Sequence, residues 1–143
     1  MRRILRALLL IAGLATCTIA AATAQIPDKI VLNGKEYSLN TNPLGPYLRE
    51  MKWKAPEKAV ISSANWRGHV ATWEISDNKL ILKDVTIRVW SEERETVTKS
   101  ILRDIFPGGE AIVATWFSGA LIIPDGKRTQ YVHMGYGSMY SHY

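Results

Sequence analysis

The stretch W-R-G-H-V-A-T-W-E-I-S-D-N-K-L-I-L-K-D-V-T-I-R-V, residues 66–89, decides the fold of this chain. Two runs rich in β-branched and aromatic residues flank Asp77-Asn78. Asn and Asp tolerate the left-handed backbone of a tight hairpin turn, so the stretch predicts a β-hairpin. Side chains alternate between faces along a strand, and the less polar set in the first run should face the core. That set is Ala71, Trp73 and Ile75.

Part of this stretch returns later in the chain. Val70-Ala71-Thr72-Trp73 is echoed by Val113-Ala114-Thr115-Trp116, and a Leu-Ile pair follows each of them after a short turn. Asp84 interrupts the long second run, and we expect it to divide that run into two strands. The two related hairpins predict a mainly β domain of about eight or nine short strands, an antiparallel barrel or sandwich.

Other segments add a further hairpin and one helix. Asn33-Gly34 suits a type I′ turn between the apolar runs of residues 29–39. Residues 91–105 carry acidic side chains at their start and apolar ones at helical spacing, which predicts the single amphipathic helix of the domain. Residues 47–52 suit one or two helical turns. Residues 128–134 are typical of a strand, and we expect the Gly- and Tyr-rich segment after them to be irregular.

The first 24 residues have the pattern of a signal peptide. They open with M-R-R-I-L-R, continue with an apolar run at 4–15, and end in Ala22-Thr23-Ala24, a small-residue cleavage site before Gln25. An apolar run of about a dozen residues is too short for a membrane-spanning helix. We therefore expect residues 1–24 to be removed, and residues 25–143 to form a single β-rich domain in the periplasm or outside the cell. No second apolar run has spanning length, so we expect no transmembrane segment in that domain.

Cys17 opens an alternative. Leu14-Ala15-Thr16-Cys17 resembles a lipoprotein box, although Thr16 departs from the smaller residue usual at that place. Cys17 is the one cysteine of the chain, so cleavage before Gln25 leaves a domain stabilised without disulfides.

Of the 18 basic residues three lie in the leader, while none of the 13 acidic ones does, so the formal charge falls from +5 to +2. A charge this small, with scattered basic residues, argues against a nucleic-acid partner.

Three segments carry a family resemblance. They are W-R-G-H-V-A-T-W-E-I at 66–75, W-F-S-G-A-L-I-I-P-D-G-K at 116–127 and Y-V-H-M-G-Y-G-S-M-Y at 131–140. With the N-G-K-x-Y and N-P-L segments near residues 33–44, they resemble a family of small exported bacterial proteins that has no established activity. The resemblance implies a bacterial origin and one recurrent domain, and it carries over no catalytic residue.

The first candidate site is a group of rings near the C-terminus, with Tyr131, His133, Tyr136 and Tyr140. In a strand, Tyr131 and His133 would share one face and form an aromatic recognition surface, with His133 as a polar contact or acid/base group. The glycines on both sides of Tyr136 permit close approach of a ligand. The alternative is that these rings only cover one end of the sheet, which is ordinary for half-buried strand positions.

The second candidate site is Trp66, Arg67 and His69. Trp66 follows a turn, where its ring could be exposed, and Arg67 suits a bidentate contact with a carboxylate or phosphate. The alternative is structural: Arg67 pairs with Glu74 or Asp84 on the sheet surface, and Trp66 caps the core.

Motifs for common chemistries are missing from the sequence. The three His residues have no short spacing, no G-x-S-x-G is present, and no glycine-rich phosphate loop precedes a helix, so we predict no metal and no cofactor.

The leading hypothesis is an exported, non-enzymatic binding protein that holds a small ligand, a glycan or an envelope or secreted protein partner on an aromatic face. An inhibitor or immunity-type protein is one version. The alternatives are a small hydrolase-type enzyme, in which His69 or His133 pairs with a carboxylate, and a structural envelope component.

Overall fold

The computed structural model describes residues 23–109 and 111–143. Most of the predicted signal peptide, including Cys17, lies outside the described residues. The elements in chain order are β1 (Asp28–Leu32), β2 (Lys35–Leu39), α1 (Gly45–Glu50), β3 (Val70–Ser76), β4 (Lys79–Trp90), β5 (Thr96–Ser100), α2 (Leu102–Ile105), β6 (Ile112–Val113), β7 (Asp125–Gln130) and β8 (Met139–His142).

The protein is mainly β, as the sequence predicts, and its layers are sandwich-like rather than closed into a barrel. The main sheet has the strand order β2-β1-β3-β4-β5, with β6 beside the first part of β4. Its pairs are antiparallel except for β1 and β3, which run parallel. Strands β7 and β8 form a separate two-stranded sheet. Neither helix in the described chain has the length and apolar character needed to cross a bilayer.

The two hairpins predicted from Asp77-Asn78 and Asn33-Gly34 are confirmed. Asp77 and Asn78 have φ values of 49° and 57°, and they join β3 to β4. Asn33 and Gly34, with φ values of 50° and 78°, join β1 to β2 in the same way. Positive φ at both central residues is the type I′ geometry, whose twist matches that of the flanking strands.

One face of the main sheet is buried and the other is open. Ile30, Ala71, Trp73 and Val85 are fully buried, whereas Ile75, near the hairpin tip, is 42% exposed and extends past the core. The covering layer consists of α1, which the sequence predicts as one or two helical turns, and of segments that follow β5. In that layer a cluster of stacked or tilted rings packs with centroids 4.7–5.6 Å apart, and its members are Tyr47, Phe106 and Trp116.

The predicted helix at 91–105 is wrong over most of its length. A turn follows β4, in which Arg94 has a φ of 62° and the Ser91 hydroxyl accepts a hydrogen bond from the Glu95 N–H at 3.2 Å. The chain then returns as β5 beside β4, and only Leu102–Ile105 is helical. The β-branched run Thr96-Val97-Thr98 favours a strand, and β4 offers it a paired backbone. The acidic residues lie in the turn rather than at a helix N-terminus.

The second related hairpin is also wrong. Ile112–Val113 pairs with β4, but the chain turns at Thr115, and the segment around Leu121 does not return as a strand. The Trp116 indole N–H donates to the Pro43 carbonyl at 2.9 Å, and the ring joins the aromatic cluster. Burial of a large ring with its N–H satisfied therefore replaces the strand that the echo predicts.

Two boundaries differ from the prediction. Asp84 does not divide β4; the register shifts there, because Thr72 pairs with Asp84 and Trp73 with Leu82, which leaves Lys83 in a bulge. The last hairpin uses Asp125–Gln130 and Met139–His142 instead of 128–134. Between them the Gly137 N–H donates to the Met134 carbonyl at 2.8 Å, so the chain turns where the sequence predicts a strand to end.

Candidate ligand groove

The loop before β3 is fixed by a segment more than 35 residues earlier in the chain. The Ile26 N–H donates to the Ala64 carbonyl at 2.7 Å. The Gln25 side-chain amide donates to the Ser63 carbonyl at 2.6 Å and accepts from the Trp66 N–H at 3.4 Å. These contacts orient residues 63–69, which contain all members of the second candidate site.

A buried ion pair anchors the same loop. Arg67 Nη1 lies 2.8 Å from Asp28 Oδ1, with 6% and 0% of the two side chains exposed. Asp28 also accepts from the Ala71 N–H at 3.1 Å and the Trp73 indole N–H at 3.3 Å. A second Arg67 nitrogen donates to the Ile26 carbonyl at 2.7 Å. The guanidinium therefore has a structural role, since its contacts hold the loop before β3 against the start of β1.

The predicted partners of Arg67 were wrong. Glu74 pairs instead with Lys83 at 2.9 Å, and Asp84 accepts a hydrogen bond from the Ser100 hydroxyl at 2.6 Å. Both carboxylates belong to the open face of the sheet, whereas Arg67 points to the buried end of β1. Asp28, the first residue of β1, is the carboxylate that meets it there.

His69 is held as a neutral ring. Its Nδ1 lies 3.1 Å from the Arg67 carbonyl, and since a carbonyl only accepts, the ring hydrogen is on Nδ1 and Nε2 is an acceptor. Burial lowers the pKa of His69 below its ordinary value, and the Arg67 charge lowers it further. The imidazole and the Trp53 ring pack edge to face, with their centroids 5.6 Å apart.

These residues line a groove of about 630 Å³ beside the end of α1. Its apolar wall includes Leu48, Trp53, Ile61 and Trp66. Trp66 is 66% exposed, so its ring is accessible to a ligand. The cationic side chains of Arg49, Lys52 and Lys54 also line the groove, together with polar groups of Asn42 and His69. The volume lies within the range of roughly 300–1,000 Å³ that is usual for ligand pockets.

The end of α1 shapes one wall. The Lys52 N–H donates to the Arg49 carbonyl at 3.1 Å, and the Trp53 N–H donates to the Leu48 carbonyl at 2.9 Å. With Lys52 at a φ of 50°, this is a Schellman termination, which brings the residue after the left-handed position against the last helical turn. Trp53 is thereby placed beside Leu48 in the groove.

The C-terminal candidate residues divide into two groups. The Tyr136 hydroxyl donates to Asn42 Oδ1 at 2.8 Å, so Tyr136 supports a residue of the groove, and burial raises the pKa of its hydroxyl. Tyr131 and His133 pack edge to face with ring centroids 4.5 Å apart, outside the groove, as does Tyr140 with Tyr143 at 6.3 Å. Tyr131 and His133 follow β7 rather than lying in it. The predicted strand face through them was wrong, because β7 begins and ends earlier.

The described side chains show no hydrogen-bonded His–carboxylate pair and no cluster of metal ligands. Within residues 23–109 and 111–143, neither His69 nor His133 forms a hydrogen bond with a carboxylate. In the same part of the chain no three His, Cys, Asp or Glu side chains come together as metal ligands would. The groove therefore offers rings, cations and hydrogen-bonding groups to whatever it meets.

Several groove residues escaped the sequence reading. Arg49, Lys52, Trp53 and Lys54 lie in a segment that the sequence marks only as the end of a helix. Its alternation of cations with a Trp, K-W-K at 52–54, was a signal available before the structure. Asp28 had no such signal, because nothing local connects it with Arg67, 39 positions later.

Comparison with protein-family models, with curated proteins and with solved structures gives no match for this chain. The resemblance to a family of small exported bacterial proteins therefore stays a prediction.

Proposed function

We propose that this protein is an exported, non-enzymatic binding protein that holds a small molecule or a glycan in the groove beside α1. The observation that carries the proposal is the exposed Trp66 ring at the edge of a recess that Trp53 also lines. Large exposed rings beside a concave surface are typical of sites that a ligand covers. Export rests on the sequence pattern of residues 1–24.

The polar groups of the groove favour binding over hydrolysis. His69 directs Nδ1 to a carbonyl, where an acid/base pair would have a carboxylate. Both oxygens of Asp28 are occupied by hydrogen bonds that hold the loop and the core. What remains toward a ligand is a neutral imidazole acceptor beside two indole rings, which is a recognition surface.

The test compares two exposed tryptophans. Trp66 lines the groove, whereas Trp90, at the end of β4, is 54% exposed and does not. The purified domain is screened against an array of glycans and small metabolites, and the affinities of retained compounds are measured by calorimetry. Because truncating a Trp that a ligand covers can cost about 2 kcal/mol or more, Trp66→Ala should weaken binding at least ~30-fold, and Trp90→Ala should leave it unchanged.

Two outcomes would contradict the proposal. One is a screen in which no compound binds the native protein. The other is a set of bound compounds whose affinities are the same for native protein and Trp66→Ala. A co-purified protein that stays bound to Trp66→Ala in native mass spectrometry would place the binding function on another surface.

A further inference from the structure

We infer that the groove takes an acidic saccharide, with a pyranose ring against the tryptophans and a carboxylate among the cations at the end of α1. This inference rests on the proposed function and names the ligand class of the same groove. Three features of the groove support it: its charge, the backbone at Lys52, and its mixture of rings with hydrogen-bonding groups.

The charge of the groove is uncompensated. Arg49, Lys52 and Lys54 line it, and no Asp or Glu does. The ion pairs found within the described residues use other cations, namely Lys29, Arg67 and Lys83. The three groove cations therefore form no ion pair there. Clustered charges of one sign beside low-dielectric walls attract the opposite charge, and here that is an anion.

Lys52 occupies a backbone position at which glycine is favoured. Its φ of 50° is in the left-handed region, where a side chain is unfavourable, and Schellman terminations usually place Gly there. A residue kept in an unfavourable conformation beside a groove is typical of a functional position. The long cationic side chain supplies what Gly cannot, a positive charge next to Arg49 and Lys54.

The remaining groups suit a sugar. A pyranose ring has C–H faces that pack on indole rings, and its hydroxyls need hydrogen-bond partners nearby. Trp53 and Trp66 supply the rings, and His69 Nε2 is an acceptor. Asn42 Oδ1 accepts from Tyr136, which leaves the Asn42 amide N–H groups as donors. A fatty acid would leave these polar groups without partners.

The planar guanidinium of Arg49 suits a carboxylate as the anionic group. Its fork of N–H donors matches the two oxygens of a carboxylate, and the neighbouring lysines add charge without a directional requirement. Uronic acids combine this carboxylate with a pyranose ring, so they meet all three features.

The probes are trigalacturonic acid and its neutral methyl ester, measured by calorimetry with the purified protein. The acid should bind about tenfold more tightly than the ester at roughly 20 mM salt, because surface charges are weakly screened there. The difference should shrink as the salt concentration rises to about 300 mM, where the screening length is much shorter.

A pair of matched variants separates charge from backbone strain. Lys52→Gly removes a groove cation and relieves a left-handed residue. Arg94→Gly also relieves a left-handed residue, at a φ of 62°, but it removes a cation from the exposed turn after β4, outside the groove. Lys52→Gly should lower the acid-to-ester affinity ratio about fivefold. Arg94→Gly should leave that ratio unchanged. Since both variants relieve strain, neither should lower the melting temperature. A fall in the acid-to-ester affinity ratio would therefore not come from a folding defect.

Each outcome decides the inference. Equal affinity for acid and ester overturns it while leaving the proposed binding function in place, because that function is tested by the independent screen. Binding of neither probe overturns it as well. A sulfated trisaccharide that binds more tightly than the uronate would also overturn it, in favour of a sulfate ligand. The inference is supported if the acid binds more tightly than the ester and this preference falls in Lys52→Gly but not in Arg94→Gly.

Discussion

At the scale of single residues, the buried pair of Asp28 and Arg67 is the strongest constraint on the groove. The Asp28 side chain is fully buried and binds Arg67, a backbone N–H and an indole N–H at once. Asp28→Asn would leave the Arg67 guanidinium buried without its counter-charge. We expect the free energy of unfolding, measured with urea, to fall by about 3–5 kcal/mol.

The control for this prediction is the surface pair of Glu74 and Lys83, whose side chains are 35% and 51% exposed. Glu74→Gln should cost no more than about 1 kcal/mol, because water screens that pair. In the double variant Asp28→Asn with Arg67→Met, part of the loss should be recovered, since the uncompensated charge is gone. Equal losses for Asp28→Asn and Glu74→Gln would contradict this account of Asp28.

His69 gives the molecule a pH dependence on the acid side. Burial, followed by the Arg67 charge, lowers the pKa of His69 in the folded state. The unfolded chain then binds a proton below about pH 6.5 while the folded protein does not, so stability is full above that pH and is lost as the pH falls toward the folded pKa. We expect unfolding free energies to decline there by as much as about 1.4 kcal/mol per pH unit.

The measurement is urea unfolding between about pH 7.5 and pH 4.5. His69→Gln should flatten the part of the decline that begins near pH 6.5. His133→Gln is the control, because that ring is exposed and packs only against Tyr131 among the described rings. A decline of the same steepness in native protein and His69→Gln would show that other groups cause it.

At the scale of elements, the turn between β3 and β4 should respond to backbone preference alone. Asn78 has a φ of 57°, and alanine in that conformation is strained. Asn78→Ala should therefore lower the unfolding free energy by about 1 kcal/mol, whereas Asn78→Gly should keep it or raise it slightly. Thermal unfolding measures both. Lys79→Ala, at an exposed strand position, should stay within about 0.5 kcal/mol, and a Gly variant as unstable as the Ala variant would refute the argument.

The same local chemistry explains which elements the sequence predicts. The turns at Asn33-Gly34 and Asp77-Asn78 are determined locally, because the turn type follows from the two residues that form it. The strand β5 is not. The apolar spacing across residues 91–105 fits a helix, and the β-branched run Thr96-Val97-Thr98 becomes a strand because it can pair with the free edge of β4. Trp116 was misplaced for a related reason, since its burial depends on Tyr47 and Phe106.

For the site, the sequence predicts residues that line the groove but not the buried residue that holds them in place. Trp66 and His69 stand out as large polar-tipped rings after a turn, and both line the groove. Asp28 is distant in sequence, and its role depends on the parallel pairing of β1 with β3, which no local pattern encodes. Tyr131, His133 and Tyr140 were grouped with Tyr136 by sequence proximity, but only Tyr136 reaches a groove residue.

At the scale of the whole molecule, the C-terminal hairpin is attached to the rest by few polar contacts. Every residue of β7 is exposed. Among the described residues, the hydrogen bonds from 125–143 to the rest of the protein are the Gly135 carbonyl with the Gln25 N–H, at 2.9 Å, and the Tyr136 hydroxyl with Asn42, at 2.8 Å. A two-stranded hairpin alone is only marginally stable in water. It should therefore open separately from the main sheet.

Hydrogen exchange followed by mass spectrometry tests this separation. Amides of β7 and β8 should exchange through local opening, well before those of β3 and β4, which exchange through global unfolding. Tyr136→Phe removes a hydrogen bond worth about 1 kcal/mol, so exchange in β7 and β8 should become roughly fivefold faster, with no change in β3 and β4. Tyr131→Phe, whose hydroxyl is exposed, is the matched control. If Tyr136→Phe accelerates all four strands equally, the hairpin and the main sheet unfold as one unit, and the Asn42 side of the groove is as rigid as the core.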